Sequence, residues 1–200
     1  NNFYQIKKNN TTPYDMKIED NIIQNLFMDL IKSSNYIKRR KNIDRYNRNN
    51  TIFKKGLSIT PVKFGISFTT SHLNQAGSLV QVYTDGSINL NHGGVEMGQG
   101  LMIKISQLAA MEFGVDLDSI KITSTNTEKV PNTSASAASA TTDLNGAATI
   151  DAINKIKKNL NKFIKSFYNF KSDNIIYKNN YVQFGNLKKP FKVLIHEAYM

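Results

Sequence analysis

A glycine-rich turn decides how this chain folds: Gly93-Gly94-Val95-Glu96-Met97-Gly98-Gln99-Gly100. It follows a strand-like run and precedes residues 101–111, whose apolar side chains recur at helical spacing. Glycine has no Cβ and accepts positive φ, so the backbone can come close to a ligand here. The first turn of the next helix offers unpaired N–H groups and a partial positive charge. The stretch therefore favours an anionic ligand rich in oxygen atoms.

Glycine also ends hairpins and caps helices, so a purely structural turn is the alternative interpretation. The spacing differs from the dinucleotide fingerprint, and it lacks the Lys-Ser/Thr pair that a P-loop needs after its last glycine. The common nucleotide-binding loops are therefore disfavoured.

A second segment, residues 130–146, combines small side chains with hydroxyl groups. Six of the ten residues from Thr133 to Thr142 carry a hydroxyl, and none in that span is larger than threonine. Such composition is also typical of flexible linkers. Because it runs directly into a long amphipathic helical pattern, we favour a ligand-binding segment.

Three stretches together resemble a known family: His92 to Gly100, Lys63 to Thr69 and Val130 to Ser139. They are similar, in order and separation, to the molybdenum-binding subunit of the xanthine dehydrogenase/aldehyde oxidase family, and to its bacterial xanthine dehydrogenase branch most. The resemblance runs through the whole chain and implies an α+β fold of mixed sheets with flanking helices. It implies that residues 1–60 form the helical end of a first molybdopterin-binding domain and a connector, and that residues 61–200 form part of a second.

The resemblance also assigns roles to residues. In the family a pterin cofactor supplies two sulfurs to molybdenum, and the metal takes no ligand from the protein. The matching cofactor-binding residues are Met97, Gly98, Gln99, Ala137, Ala138, Ser139, Ala140, Thr141 and Thr142. The resemblance therefore implies that the two segments meet, with two helix N-termini converging on one anion. Phe68 and Thr69 match the substrate pocket, in which the phenylalanine packs against a flat ring.

The implied activity is hydroxylation of a purine such as xanthine or hypoxanthine, with an aldehyde oxidase-type substrate as the alternative. Because the chain starts at Asn1 and stops at Met200, we expect a piece of a longer enzyme. The family's catalytic glutamate falls beyond this piece, which alone is expected to be inactive. FAD and 2Fe-2S clusters would lie on other subunits or domains of a hetero-oligomer.

The amino-acid composition limits the kinds of partner that the protein is expected to bind. The 26 Lys and Arg against 15 Asp and Glu give a formal charge of +11, which raises nucleic acid as a partner. These basic residues are scattered and the aromatics follow apolar stripes, so we expect no nucleic-acid partner. Cysteine is absent, and no apolar run reaches the roughly 20 residues of a membrane span, so we expect a cytoplasmic protein. A degenerate structural subunit that has lost the flanking catalytic motifs remains a further alternative.

Periodicity predicts the elements of the first half. Apolar residues at helical spacing predict a helix over about Met16–Asn35, and a basic second helix is expected to Asn50. A connector follows at Thr51–Thr60, and alternation predicts a strand over Val62–Thr70.

Leu79–Asn91 predicts a hairpin. A three-residue loop there pairs Val82 with Ile88 and Val80 with Leu90, which gives one apolar face.

The remaining elements follow from the same patterns. A helix over Gly100–Phe113 and a strand over Ser119–Thr125 predict a crossover unit. A long helix is expected from Asp143, a hairpin over Asn174–Gly185 and a final helix over Pro190–Met200.

Few side chains suggest acid–base or metal chemistry. His72, His92 and His196 form no ligand pair, so structural or surface roles are expected. Glu96 lies beside a helix N-terminus, which stabilises its charged form, and we expect it to cap the loop rather than act as a base.

Overall fold

The computed structural model describes residues 3–5, 7–62, 70–128, 132–137 and 139–200. The chain forms two compact units, Asn1–Phe64 and Gly65–Met200. Helices and two small sheets make up these units, so the α+β prediction is confirmed. The assignment of the two parts to two cofactor-binding domains stays a prediction.

The first unit contains two helices, α1 (Ile23–Ser33) and α2 (Tyr36–Asn49). The predicted basic helix and the connector are confirmed, but the predicted start of α1 at Met16 is wrong. The Met16 N–H donates to Thr12 Oγ1 at 3.0 Å and the Thr12 N–H donates to the Met16 carbonyl at 2.9 Å. These bonds hold residues 12–16 in a turn, residues 17–22 are not helical, and the helix begins at Ile23. Most of the strand predicted over Val62–Thr70 lies outside the described residues.

The second unit is organised around a three-stranded sheet of β1 (Ser78–Val82), β2 (Ile88–His92) and β3 (Ile120–Ile122), in that order. β1 and β2 are antiparallel, with Val82 opposite Ile88 and Val80 opposite Leu90, so the predicted register is confirmed. β2 and β3 are parallel.

The helix α3 (Leu101–Phe113) connects β2 to β3, which confirms the crossover unit. It ends at Gly114, whose φ is +64°. This is the left-handed C-cap that glycine accepts without strain. β3 is shorter than predicted.

The rest of the second unit is a long helix, a small sheet and a final helix. These are α4 (Thr141–Phe167), β4 (Ile175–Lys178), β5 (Tyr181–Phe184), β6 (Leu187–Pro190) and α5 (Phe191–Tyr199). The predicted hairpin turns at Asn179 and Asn180, which both have positive φ. β6 was not predicted, because Leu187-Lys188-Lys189-Pro190 has little apolar alternation. Proline is tolerated there because β6 is an edge strand.

The packing of α3 against α4 sets the positions of the N-termini of these two helices. Gly146 of α4 lies so close to α3 that a Cβ there would be 2.9 Å from Leu108 Cδ1. The shared core is apolar and includes Leu90, Leu101, Ile105, Phe113, Ile153 and Ile164, all at most 1% exposed. Among the described residues, no helix is both long and apolar enough for a membrane span.

Candidate functional site

The glycine-rich loop is closed by the carboxylate of Glu96. Its Oε1 accepts hydrogen bonds from the Gly98 and Gly100 N–H groups at 2.8 and 3.0 Å, and its Oε2 accepts one from the Met102 N–H at 3.0 Å. These bonds hold the pKa of Glu96 below its usual value, and the bond from the Met102 N–H contributes most to the lowering. The capping role predicted for Glu96 is confirmed. Glu96 thus already places negative charge at the N-terminus of α3 and accepts the Gly100 and Met102 N–H groups. The expectation that this helix start offers those N–H groups unpaired to an anionic ligand is therefore wrong.

Gln99 braces the same loop and keeps capacity for a further ligand. Its Nε2 donates to the Val95 carbonyl at 2.7 Å, and its Oε1 accepts from the Met97 N–H at 2.5 Å. A glutamine amide has two N–H groups and two carbonyl lone pairs, so half of this capacity is unused by these two bonds. The side chain is exposed, as are Met97 and Gly98.

The small-residue segment meets the glycine-rich loop directly. The Val95 N–H donates to Ser136 Oγ at 2.7 Å, across 41 residues of sequence. Gly94 lies against the first turns of α4, because a Cβ there would be 2.8 Å from Thr141 Cγ2 and 3.1 Å from Asn145 Nδ2. The two segments that the sequence singled out are therefore neighbours.

The N-terminus of α4 differs from that of α3 in having no side-chain cap. Its N-cap residue is Ala140, which has no group to accept a hydrogen bond from the first turn. Ser139 precedes it with φ +56°. Thr141 is buried, whereas Ala137 and Ser139 are exposed. Ala138 lies outside the described residues. The first turn of α4 also contains an acidic residue, Asp143, but its N-cap residue provides no cap. Of the two helix starts at the loop, that of α4 therefore has the backbone better suited to an anionic group.

His92 was expected to be structural, but sequence reasoning missed what it holds. It is 1% exposed, and its Nδ1 accepts a hydrogen bond from the Gly94 N–H at 3.0 Å. Burial lowers the pKa of His92, and the negative charge of Glu96 opposes this to a smaller extent. The sequence signal for this role was the position of His92 directly before two glycines. His72 and His196 are exposed, as expected.

Some buried polar atoms near the loop have no partner among the described residues. They include His92 Nε2 and Asn145 Oδ1. Buried polar groups are normally hydrogen-bonded, so these atoms leave binding capacity unused. In the described part of the chain, no three His, Cys, Asp or Glu side chains are grouped to hold a metal ion.

A cavity of about 270 Å³ opens beside the small-residue segment. One wall is Leu73–Gln75, and the Ser134 N–H holds that wall by donating to the Gln75 carbonyl at 2.8 Å. The other lining residues are Thr133, Ser134, Ala135, Ala137, Ala140 and Leu144. Phe68 and Thr69, predicted to bind substrate, lie outside the described residues.

Comparison with known proteins accounts for this arrangement. Residues 29–200 match the family model of the molybdopterin cofactor-binding domain. The chain belongs to this family. The match spans most of the chain, so the resemblance drawn from the three motifs is confirmed, while the bacterial branch stays a prediction.

Two relatives of this molybdopterin-binding chain are xanthine dehydrogenases. The enzyme of Calliphora vicina is 47% identical over 159 residues, which cover 80% of this chain and 12% of that protein. Xanthine dehydrogenase 2 of Arabidopsis thaliana is 48% identical over 145 residues, covering 72% of this chain and 11% of that protein. The chain thus spans about an eighth of the length of these relatives.

The fold is also found in a solved structure. Quinoline 2-oxidoreductase from Pseudomonas putida 86 superposes with a TM-score of 0.75 over 95% of this chain and 25% of its own chain, at 15% identity. The likeness supports the fold predicted for the molybdopterin-binding region of molybdenum hydroxylases.

Proposed function

We propose that the protein containing this chain is a molybdenum hydroxylase that oxidises purines such as xanthine or hypoxanthine at a molybdopterin centre. The observation that carries the proposal is the junction of two distant segments, made by the Val95 N–H and Ser136 Oγ at 2.7 Å. Relatives of this chain named xanthine dehydrogenase support the substrate class.

The residues at the junction fit an anionic, oxygen-rich organic cofactor. The N-terminus of α4 has no side-chain cap, and the side chains before it are too small to obstruct a ligand. We therefore propose that Met97, Gly98, Gln99, Ala137, Ala138, Ser139, Ala140, Thr141 and Thr142 hold the cofactor. The cofactor would supply the redox chemistry, and this chain would bind and orient it.

The substrate side of the proposal rests on the neighbouring cavity. Its mixed lining of aliphatic, hydroxyl and amide groups is typical of sites for small organic ligands. From the family resemblance, Phe68 and Thr69 are proposed to bind the substrate, with the aromatic ring packing on a heterocycle. An aldehyde or another heterocycle is the alternative substrate.

Oxidation of a substrate also requires an electron acceptor. These 200 residues contain no cysteine to hold an iron–sulfur cluster. We therefore propose that FAD and 2Fe-2S clusters belong to other domains or subunits of the same assembly.

The test uses the intact protein. Metal and pterin analysis is expected to find both components, and a substrate screen is expected to find oxidation of xanthine or hypoxanthine. Gln99→Ala is expected to lower molybdenum content while the circular dichroism spectrum stays unchanged. Gln107→Ala removes an exposed glutamine from α3, away from the loop, and should leave loading unchanged. A wild-type protein without molybdenum would refute the function, and full loading of Gln99→Ala would remove Gln99 from the site.

A further inference from the structure

His92 is buried at the junction between β2 and the glycine-rich loop. Its Nδ1 accepts the Gly94 N–H at 3.0 Å, so this nitrogen carries no proton. The neutral ring then has its proton on Nε2, which is buried and has no partner among the described residues. The ring thus contributes one defined hydrogen bond, which depends on its neutral form.

The group that His92 holds is the pivot of the loop. Gly94 is bonded at both backbone groups, because its carbonyl accepts from Thr125 Oγ1 at 2.7 Å. The next residue is Val95, whose N–H reaches Ser136. Gly94 therefore links the ring of His92 to the contact between the loop and the small-residue segment.

We propose that His92 is a positioning residue whose neutral ring holds Gly94, so that the loop carrying Gln99 stays closed on Ser136, and whose protonation opens this junction. The consequence for cofactor retention rests on the proposed function. A protonated Nδ1 would turn its own N–H toward the N–H of Gly94, so two donors would face each other and the bond would be lost.

The direction of the pH dependence follows from the environment of the ring. Burial lowers the pKa of His92 in the closed state, whereas an exposed histidine titrates near about 6.5. The open state therefore binds more protons below that pH, so the closed state is favoured above it and is lost as the pH falls. The charged side chain acting on the ring is Glu96, on the same loop. From the other elements, the residues known to adjoin His92 or Gly94 have no ionisable side chain: Ser78, Leu101, Thr125, Thr141 and Asn145.

The experiment compares variants of the intact protein at about pH 7.5 and about pH 5.5, on either side of the pKa of an exposed histidine. Amide hydrogen exchange of loop peptides, corrected for intrinsic rates, reports opening, and molybdenum content after dialysis reports retention. The wild type should be closed and loaded at the higher pH, and more open and depleted at the lower. His92→Asn can present a hydrogen-bond acceptor to the Gly94 N–H but does not titrate, so the loop should stay closed at both pH values. His92→Leu lacks the acceptor and should exchange about tenfold faster or more at both.

The control is His196→Leu, which removes an exposed histidine on α5 and should behave as the wild type. The role of His92 is overturned if His92→Leu exchanges as slowly as the wild type. It is also overturned if His92→Asn keeps the wild-type response to acid. If His92→Leu fails to fold, the comparison of the pH dependence of exchange between His92→Asn and the wild type still tests the role of His92. A wild type without molybdenum would refute the proposed function, while the exchange comparison would still decide the role of His92.

Discussion

Replacing Gly94 with alanine tests whether the close approach of the loop to α4 is required. A Cβ at this position would lie 2.7 Å from Leu101 Cδ2, 2.8 Å from Thr141 Cγ2 and 3.1 Å from Asn145 Nδ2. Two of these distances are shorter than real Cβ contacts, and the neighbours are buried, so they have little room to move. The φ of Gly94 is not positive. The effect of Gly94→Ala therefore comes from packing and not from backbone strain.

The expected cost can be set from the behaviour of overpacked cores. Inserting one methyl group into a well-packed site costs about 1–3 kcal/mol. At about 1.4 kcal/mol per factor of ten, local opening should increase roughly five- to 150-fold. Hydrogen exchange of the intact protein should show this increase in peptides from residues 90–100 and 141–149 together. If these segments also hold the cofactor, molybdenum content should fall.

Two glycines provide matched controls for this substitution. Gly98 has φ +98° but a Cβ there meets nothing within 4 Å, so Gly98→Ala should strain the loop by roughly 1–2 kcal/mol without disturbing α4. Gly56 has neither a positive φ nor a close neighbour, and Gly56→Ala should change nothing in the second unit. Unchanged exchange at residues 141–149 in Gly94→Ala would refute the close approach.

Two further predictions concern the C-terminal sheet. Gly114→Ala places a Cβ 2.3–2.4 Å from the backbone of Tyr177, which cannot yield, so the substitution should cost more than about 3 kcal/mol of stability and lower the soluble yield and melting temperature. Gly185→Ala is the control, because Gly185 shares the positive φ without a backbone clash and its replacement should cost less. Equal losses of stability in the two variants would contradict the reasoning. Asn180→Ala removes two 2.8 Å hydrogen bonds to Asp116 and should lower the free energy of unfolding by about 1–3 kcal/mol, measured by denaturant unfolding. Asn180→Gly removes the same bonds but relieves the positive φ, so it should cost less. Identical stabilities of the two variants would show that φ does not matter at this position.

Elements whose pattern is purely local were predicted well. The hairpin register followed from alternation, because only one register places Val82, Ile88, Val80 and Leu90 on one face. The end of α3 followed from Gly114, since few other residues accept its positive φ. The small sheet shows the limit of this reasoning, because β6 has almost no alternation of its own and exists through pairing with β5.

The predicted start of α1 was wrong for a related reason. Met16 fits the helical spacing, but its N–H is taken by Thr12 Oγ1 in a preceding turn. Side-chain hydrogen bonds of this kind compete with helix formation and leave little trace in hydrophobic periodicity. Hydrogen bonds of this turn therefore keep Met16 out of the helix although its spacing fits.

The sequence by itself determined the order of the elements, the places where the chain must turn, and two short segments with little side-chain bulk. Those features depend on neighbours within a few residues, which the linear order contains. The resemblance led to the expectation that the two segments meet, and only the tertiary structure decided that they meet through the Val95 N–H and Ser136 Oγ. It also decided that Glu96 occupies the start of α3 while the start of α4 has no side-chain cap, and that His92 is buried against Gly94. These contacts depend on how α3 packs against α4, and that packing is set by core side chains far apart in the chain.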